Sequence, residues 1–466
     1  MKFIRNLIFY LCLIFLFGVL IYILLRSGMV LDHPASHLTT LKGHDALPAS
    51  ADTNSFLKNL SDDLPRLLLQ IILILATSQF LGSLFKKWGQ PAVIGEIVAG
   101  IILGPSLLGL LFPHVFHFIF PVESLSNLRF LSQIGLILFM YIVGMELDGQ
   151  LLRKQAFDAL IISHSSILIP FTLGIGLSML LYQNYSGTET SFLPFALFMG
   201  IAMSVTAFPV LARIIRDQKL SETKLGILVI SCAASDDITA WCLLAVLVAF
   251  IRSGSGINGL FIMGMVVVYI FFMLVPLRLL LKQIKNYYEK GKIGHSTFMS
   301  ILFIILLFSS YCTEVIGIHA LFGAFLAGVI MPKNDAIRKR ITERISDVGI
   351  VMLLPLFFVY TGLRTQVGML NSGTLWLNFS MILICAVAGK LGGSALVARL
   401  LGQTNRDSLS IGVLMNTRGL MELIVLNIGF DLGILSTSIF SMMVLMALIT
   451  TMMTSPILRW IGRMKD

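Results

Sequence analysis

Apolar runs of membrane-spanning length recur along the whole chain, separated by short polar breaks. About fourteen meet the ~20-residue criterion for a transmembrane helix. They lie near residues 6–25, 64–85, 91–111, 128–147, 156–182, 191–215, 224–251, 257–281, 296–313, 317–332, 346–363, 375–399, 407–430 and 435–460. The pattern predicts an all-α polytopic membrane protein. Residues 1–63 read as an extra N-terminal transmembrane helix with an external loop, and 64–466 as one membrane domain. The first run follows Lys2 and Arg5 as a signal peptide would. It is too long for a signal core and no small-x-small site follows, so an uncleaved helix is expected. No soluble domain is expected after the last span.

Composition agrees. Hydrophobic residues make up 57% of the 466 positions and charged residues 12%, about half the charged fraction of soluble chains. The net charge of +10 would suit nucleic acid, but its placement does not. With the N-terminus inside and spans alternating, the outer segments hold only Arg26, Lys42, Lys58, Arg66, Arg129, Arg252 and Arg364. Lys390 and Arg418 fall within spans, and the rest of the 34 basic residues lie inside. That bias is the positive-inside signature. It places both termini in the cytoplasm and the chain in the cell membrane, and argues against a nucleic-acid partner. All 5 cysteines fall in apolar runs without metal-type spacing, so neither a disulfide framework nor a metal cluster is expected.

Two features suggest an inverted repeat. Leu138, Phe139 and Gly144 align at one offset with Leu356, Phe357 and Gly362, in spans of opposite predicted direction. Two spans beyond each copy, Ser204-Val-Thr-Ala-Phe-Pro209 and Met415-Asn-Thr-Arg-Gly-Leu420 put helix-breaking, polar sequence near mid-membrane. Pro209 lacks a backbone donor and Gly419 is a poor helix former. Broken helices at depth are tolerated where they line a cavity, and their half-helix ends suit ion sites.

The chemistry concentrates on a few deep ionisable residues. Asp236 and Asp237 are adjacent in an otherwise apolar span, Ser231-Cys-Ala-Ala-Ser-Asp-Asp-Ile238. A charged Asp at a helix centre costs about 2.5–3.5 kcal/mol, so a pair signals function. Lys390 is the only deep lysine and the natural counter-ion for one aspartate. Neighbouring helix residues point about 100° apart, so the other aspartate is free to face a cavity with Thr206, Ser235 and broken-helix carbonyls. Such hard oxygen donors suit Na⁺ or Li⁺, and also K⁺. A cation and a proton competing for one carboxylate would couple their flows. Arg418 and Glu422 are four apart on one helix face. They read equally well as charge compensation of a broken helix, with Thr417 and Pro209 at the breaks. Intramembrane aspartyl proteases also use two aspartates, but on separate helices, so an enzyme is disfavoured and no cofactor is implied.

Four stretches carry a family resemblance. They are Gly89-Gln-Pro-Ala-Val-Ile-Gly-Glu-Ile-Val-Ala-Gly-Ile-Ile-Leu-Gly-Pro-Ser-Leu-Leu-Gly109, Ala233-Ala-Ser-Asp-Asp-Ile-Thr-Ala-Trp241, His319-Ala-Leu-Phe-Gly-Ala-Phe-Leu-Ala-Gly328 and Met415-Asn-Thr-Arg-Gly-Leu-Met-Glu422. Together, from about Leu64 onward, they resemble the second family of monovalent cation–proton antiporters, which includes sodium–proton exchangers and potassium-efflux systems. The resemblance implies thirteen antiporter helices plus the extra one, two broken crossing helices, and a six-helix core moving against a dimerisation domain in a homodimer. It implies that Asp237 binds the cation, that Asp236 pairs with Lys390, and that Na⁺(Li⁺)/H⁺ exchange is electrogenic. K⁺/H⁺ exchange or K⁺ efflux is the alternative on the same scaffold.

Overall fold

The computed structural model describes residues 62–146, 156–185, 191–218, 220, 223–253, 256–332, 334–369 and 371–463. The predicted N-terminal helix and nearly all of its loop lie outside the described residues. Every described element is helical apart from turns and connections.

The main helices in chain order are α1 (Asp63–Lys87), α2 (Ala92–Leu103), α3 (Leu125–Glu146) and α4 (Ala156–Tyr185). Then come α5 (Phe192–Ser204), α6 (Phe208–Asp217), α7 (Lys224–Ser253), α8 (Gly256–Phe272) and α9 (Arg278–Glu289). α10 (His295–Ile316), α11 (Ala320–Val329), α12 (Asp335–Ser346), α13 (Leu354–Arg364) and α14 (Gly373–Val387) follow. The chain finishes with α15 (Gly393–Leu400), α16 (Asn405–Met415), α17 (Leu420–Asp431) and α18 (Thr437–Arg463). Local chemistry sets several ends. Lys86 and Lys87 sit in the last turn of α1, where cations offset the helix dipole. The Thr404 hydroxyl accepts from Asp407 N–H at 3.1 Å and caps α16. Gly317 ends α10 in the left-handed region, at φ 99°.

Among the described residues, 10 helices are long and apolar enough to cross a membrane, or 11 if the bent pair α16–α17 counts as one span. The sequence predicts thirteen spans in this region. The difference has a local cause. The 191–215 run is divided into α5 and α6, and the 317–332 run forms only the short α11. The 407–430 run is the bent pair, with an angle of 40° at its break. Large apolar side chains such as Ile72, Phe80, Val268, Phe271 and Ile304 are exposed, as lipid-facing positions of membrane helices are.

Packing sorts the helices into two groups. α1, α2, α3, α10, α11 and α13 pack mainly on one another, whereas α4 to α7 and α14 to α18 form a second set. Two glycine crossings tie the first set together. A Cβ on Gly144 would lie 2.1 Å from Phe325 O, and one on Gly328 2.2 Å from Tyr141 O, so α3 and α11 touch backbone to backbone. α13 and α2 repeat the arrangement: Cβ atoms on Gly362 and Gly100 would lie 2.5 Å from Ile97 O and 2.3 Å from Val359 O. Gly144 and Gly362 are the two glycines aligned in the sequence repeat, and each makes the same kind of contact.

Candidate ion site

The second helix group contains two interruptions that meet. Between α5 and α6 the chain is extended at Val205 and Ala207. Between α16 and α17 it turns through Asn416 to Gly419, whose φ of 156° lies at the edge of the glycine-favoured region. Ala207 N–H donates to Thr417 O at 3.1 Å, joining the two breaks. Pro209 falls in the first turn of α6, where a missing N–H costs nothing. It therefore starts a half-helix and does not kink a continuous one.

Backbone groups freed at such depth need partners, because lipid offers none. α18 supplies them. Thr451 Oγ1 donates to Arg418 O at 2.8 Å and accepts from Arg418 N–H at 3.2 Å. Thr417 and Thr454 hydroxyls lie 3.4 Å apart. The carbonyl end of α5 is met by cations. Arg418 donates through Nη1 to Ala202 O at 2.8 Å and through Nη2 to Met203 O at 2.6 Å. Lys390 Nζ donates to Ser204 O. Two positive groups thus face the negative end of the α5 dipole. Arg418 also lies 3.3 Å from Glu422, both side chains fully buried.

Lys390 projects from a π-helical turn, Ala388–Gly392, between α14 and α15, a distortion common at functional positions. Its ammonium reaches Asp236 Oδ2 at 2.9 Å, with both side chains 0% exposed. It also donates to Ser166 O at 2.9 Å and Ser166 Oγ at 3.2 Å. Asp236 receives three hydroxyl bonds besides: Ser163 at 2.6 Å, Ser166 at 2.7 Å and Thr206 at 2.7 Å. Every partner is a donor, which suits a carboxylate acting only as an acceptor.

Asp237 is the opposite case. It is equally buried, but neither carboxylate oxygen has a hydrogen-bond partner of ordinary geometry. The backbone N–H of Phe208, at the start of α6, interacts with it. The positive end of that half-helix dipole is therefore turned to the one undersatisfied carboxylate of the pair. A buried acceptor without donors is costly and is free to take a proton or a cation.

Thr206 and Ser235 take different positions around the pair. Thr206 was expected beside the cavity-facing aspartate, but it bonds Asp236 and, at 3.3 Å, Met415 O. Ser235 makes no side-chain hydrogen bond to either aspartate among the described residues, and its carbonyl accepts from Thr239 at 2.9 Å. The 100° turn between neighbours carries Asp236 to the α4–α5 side together with Thr206. Sequence reasoning missed Ser163 and Ser166. Their signal was the run Ser163-His-Ser-Ser166 inside an apolar span, with two hydroxyls three apart on one face. Among the described residues no three His, Cys, Asp or Glu side chains gather as a metal cluster. A cation here would be held by one carboxylate with hydroxyl and carbonyl oxygens.

The sequence profile of a transmembrane sodium/hydrogen exchanger family matches residues 71–462. The chain is 44% identical over 410 residues to the Na(+)/H(+) antiporter NhaS4 of Synechocystis sp., covering 87% of this chain and 97% of that protein. It is 34% identical over 413 residues to the K(+)/H(+) antiporter 1 of Saccharomyces cerevisiae, covering 87% of this chain and 47% of the yeast protein. In fold it is similar to the sodium proton antiporter MjNhaP1 of Methanocaldococcus jannaschii. The TM-score there is 0.60 at 14% identity, over 86% of this chain and 98% of that one.

Proposed function

Since this chain belongs to the sodium/hydrogen exchanger family and is a cation–proton antiporter of the membrane, we propose that Asp237 is the carboxylate its substrates share. One observation carries this reading. Of two adjacent buried aspartates, Asp236 is saturated by Ser163, Ser166, Thr206 and Lys390, and Asp237 is met by no side-chain donor and only by the backbone N–H of Phe208.

In this reading a proton and a monovalent cation compete for Asp237, so one leaves as the other arrives. The interrupted helices α5–α6 and α16–α17 act as the crossing broken helices of the antiporter. Arg418 and Lys390 cancel the carbonyl end of α5, and α6 offers its amide end to the carboxylate. The second helix group is the moving core, and the first is the frame through which two copies pair. Both termini face the cytoplasm. The Asp236–Lys390 pair provides the second charge: if the lysine releases its proton when a cation binds, exchange moves net charge. Na⁺ or Li⁺ is the proposed cation, by likeness to NhaS4. K⁺ is the second reading, favoured by the likeness to the yeast K(+)/H(+) antiporter. Proton flux in proteoliposomes, driven in turn by Na⁺, Li⁺ and K⁺ gradients, decides between them. A chain that moves protons with none of the three would sink the proposal.

A further inference from the structure

A second polar cluster lies at the far end of α17 from the break. Asp431, the last residue of that helix, is 3.0 Å from Arg129 Nη2 of α3. It also accepts from Arg364 Nη2 of α13 at 2.5 Å. Arg364 is held from every side. Its Nη1 donates to Asn427 Oδ1 at 2.9 Å, and Asn427 in turn donates to Thr361 Oγ1 at 2.9 Å. Its guanidinium lies 4.9 Å from the Tyr360 ring and 4.6 Å from the Phe430 ring. A planar cation between two aromatic faces and an amide has little freedom to follow Asp431 if Asp431 moves. A cleft of about 150 Å³ opens beside the cluster, lined by Arg129, Gln133, Glu314, His319 and Asp431 among others.

The cluster joins the two helix groups. α17 packs on α5 and α18, whereas α3 packs on α11 and α13. Close backbone packing between α13 and α17 is sparse, and side-chain charge adds to the apolar core they share. α17 begins at the break beside Arg418 and Glu422, and its 12 residues make a rod about 18 Å long. One end of this rod carries the compensating charges of the ion site, and the other carries Asp431. A rigid helix cannot shift at one end without disturbing the other.

We propose that Asp431 is a positioning residue for exchange. It latches α17 to Arg129 and Arg364 and closes the mouth that the charge bias assigns to the exterior, so each cycle must part this cluster before the site opens outward. The inference rests on the proposed alternating access, yet its test does not require transport. Gln133→Cys in a chain whose native cysteines are replaced by serine or alanine places one thiol in the cleft. Its reaction rate with a membrane-impermeant thiol reagent is measured on intact cells. Asp431→Asn and Arg129→Gln should each raise that rate at least about fivefold, the lower end of ordinary coupling between linked sites. Arg129→Lys, which keeps a cation beside Asp431, should bring it back toward the parent. Arg129 is 43% exposed, so its variant folds even where Asp431→Asn does not. Equal rates in all four chains would overturn the latch. Failure of the parent to exchange cations for protons would instead count against the functional reading and leave the labelling result standing.

Discussion

Lys390 offers the sharpest energetic test, because its replacement strands several groups at once. Lys390→Met keeps the length and bulk of the side chain but removes the ammonium. Asp236 then keeps only its three hydroxyl donors, and Ser204 O and Ser166 O lose a charged donor. Breaking a buried pair by removing one partner costs about 3–5 kcal/mol. A lost bond at a buried carbonyl adds on the order of 1 kcal/mol. Asp236→Asn alone strands the lysine and should cost a similar amount. In the double variant neither member of the pair is left as an unpaired charge, so its loss should fall short of the two single losses added by about 2–3 kcal/mol, within the range of contacting residues. Equilibrium unfolding of the four proteins in one detergent measures this. Losses that add to within about 0.5 kcal/mol would refute the pair as the organising contact of the site.

Three other outcomes follow. Gly144→Ala and Gly362→Ala should each destabilise by about 1–3 kcal/mol in the same assay, since each new Cβ meets a backbone oxygen; Gly264→Ala, with nothing within 4 Å, should cost nothing. Thr451→Val should cost about 1–2 kcal/mol by stripping both backbone groups of Arg418. Thr450→Val, whose hydroxyl bonds only within its own helix, should stay within about 0.5 kcal/mol. Asp236→Asn should exchange through Asp237 but no longer respond to a membrane potential clamped with valinomycin and K⁺, whereas the parent should respond, each net charge being worth about 2.3 kcal/mol per 100 mV. A parent indifferent to potential would contradict electrogenic exchange.

The sequence carried the long spans because about 20 apolar residues in a row have few other meanings. It could not show that the 317–332 run holds only a ten-residue helix, since apolar composition does not mark where a helix ends. The pairing of Lys390 with one aspartate was legible from scarcity, there being no other deep lysine. Which aspartate it pairs with came from the family resemblance alone, because two neighbours on a helix look alike until the packing of α4 is known. Ser163 and Ser166 were hidden for the same reason: a serine in a membrane helix ordinarily bonds its own backbone, as Ser165 does to Ile161 O at 2.7 Å. Only the fold distinguishes a hydroxyl that serves a carboxylate from one that serves its own helix. The Asp431 cluster was equally silent, since Arg129, Arg364 and Asp431 lie on three separate spans and read as ordinary ends.

The central claim is that Asp237, not its saturated neighbour, is where cation and proton compete. Asp237→Asn preserves shape, keeps an oxygen for the Phe208 N–H and removes a charge that no side-chain donor meets, so the variant should fold and express as the parent does. The deciding measurement is cation-driven proton flux in proteoliposomes, with Asp237→Asn and Asp236→Asn compared at equal protein. The account predicts no flux above empty liposomes for Asp237→Asn and retained flux for Asp236→Asn. Full exchange in a well-folded Asp237→Asn protein would contradict it.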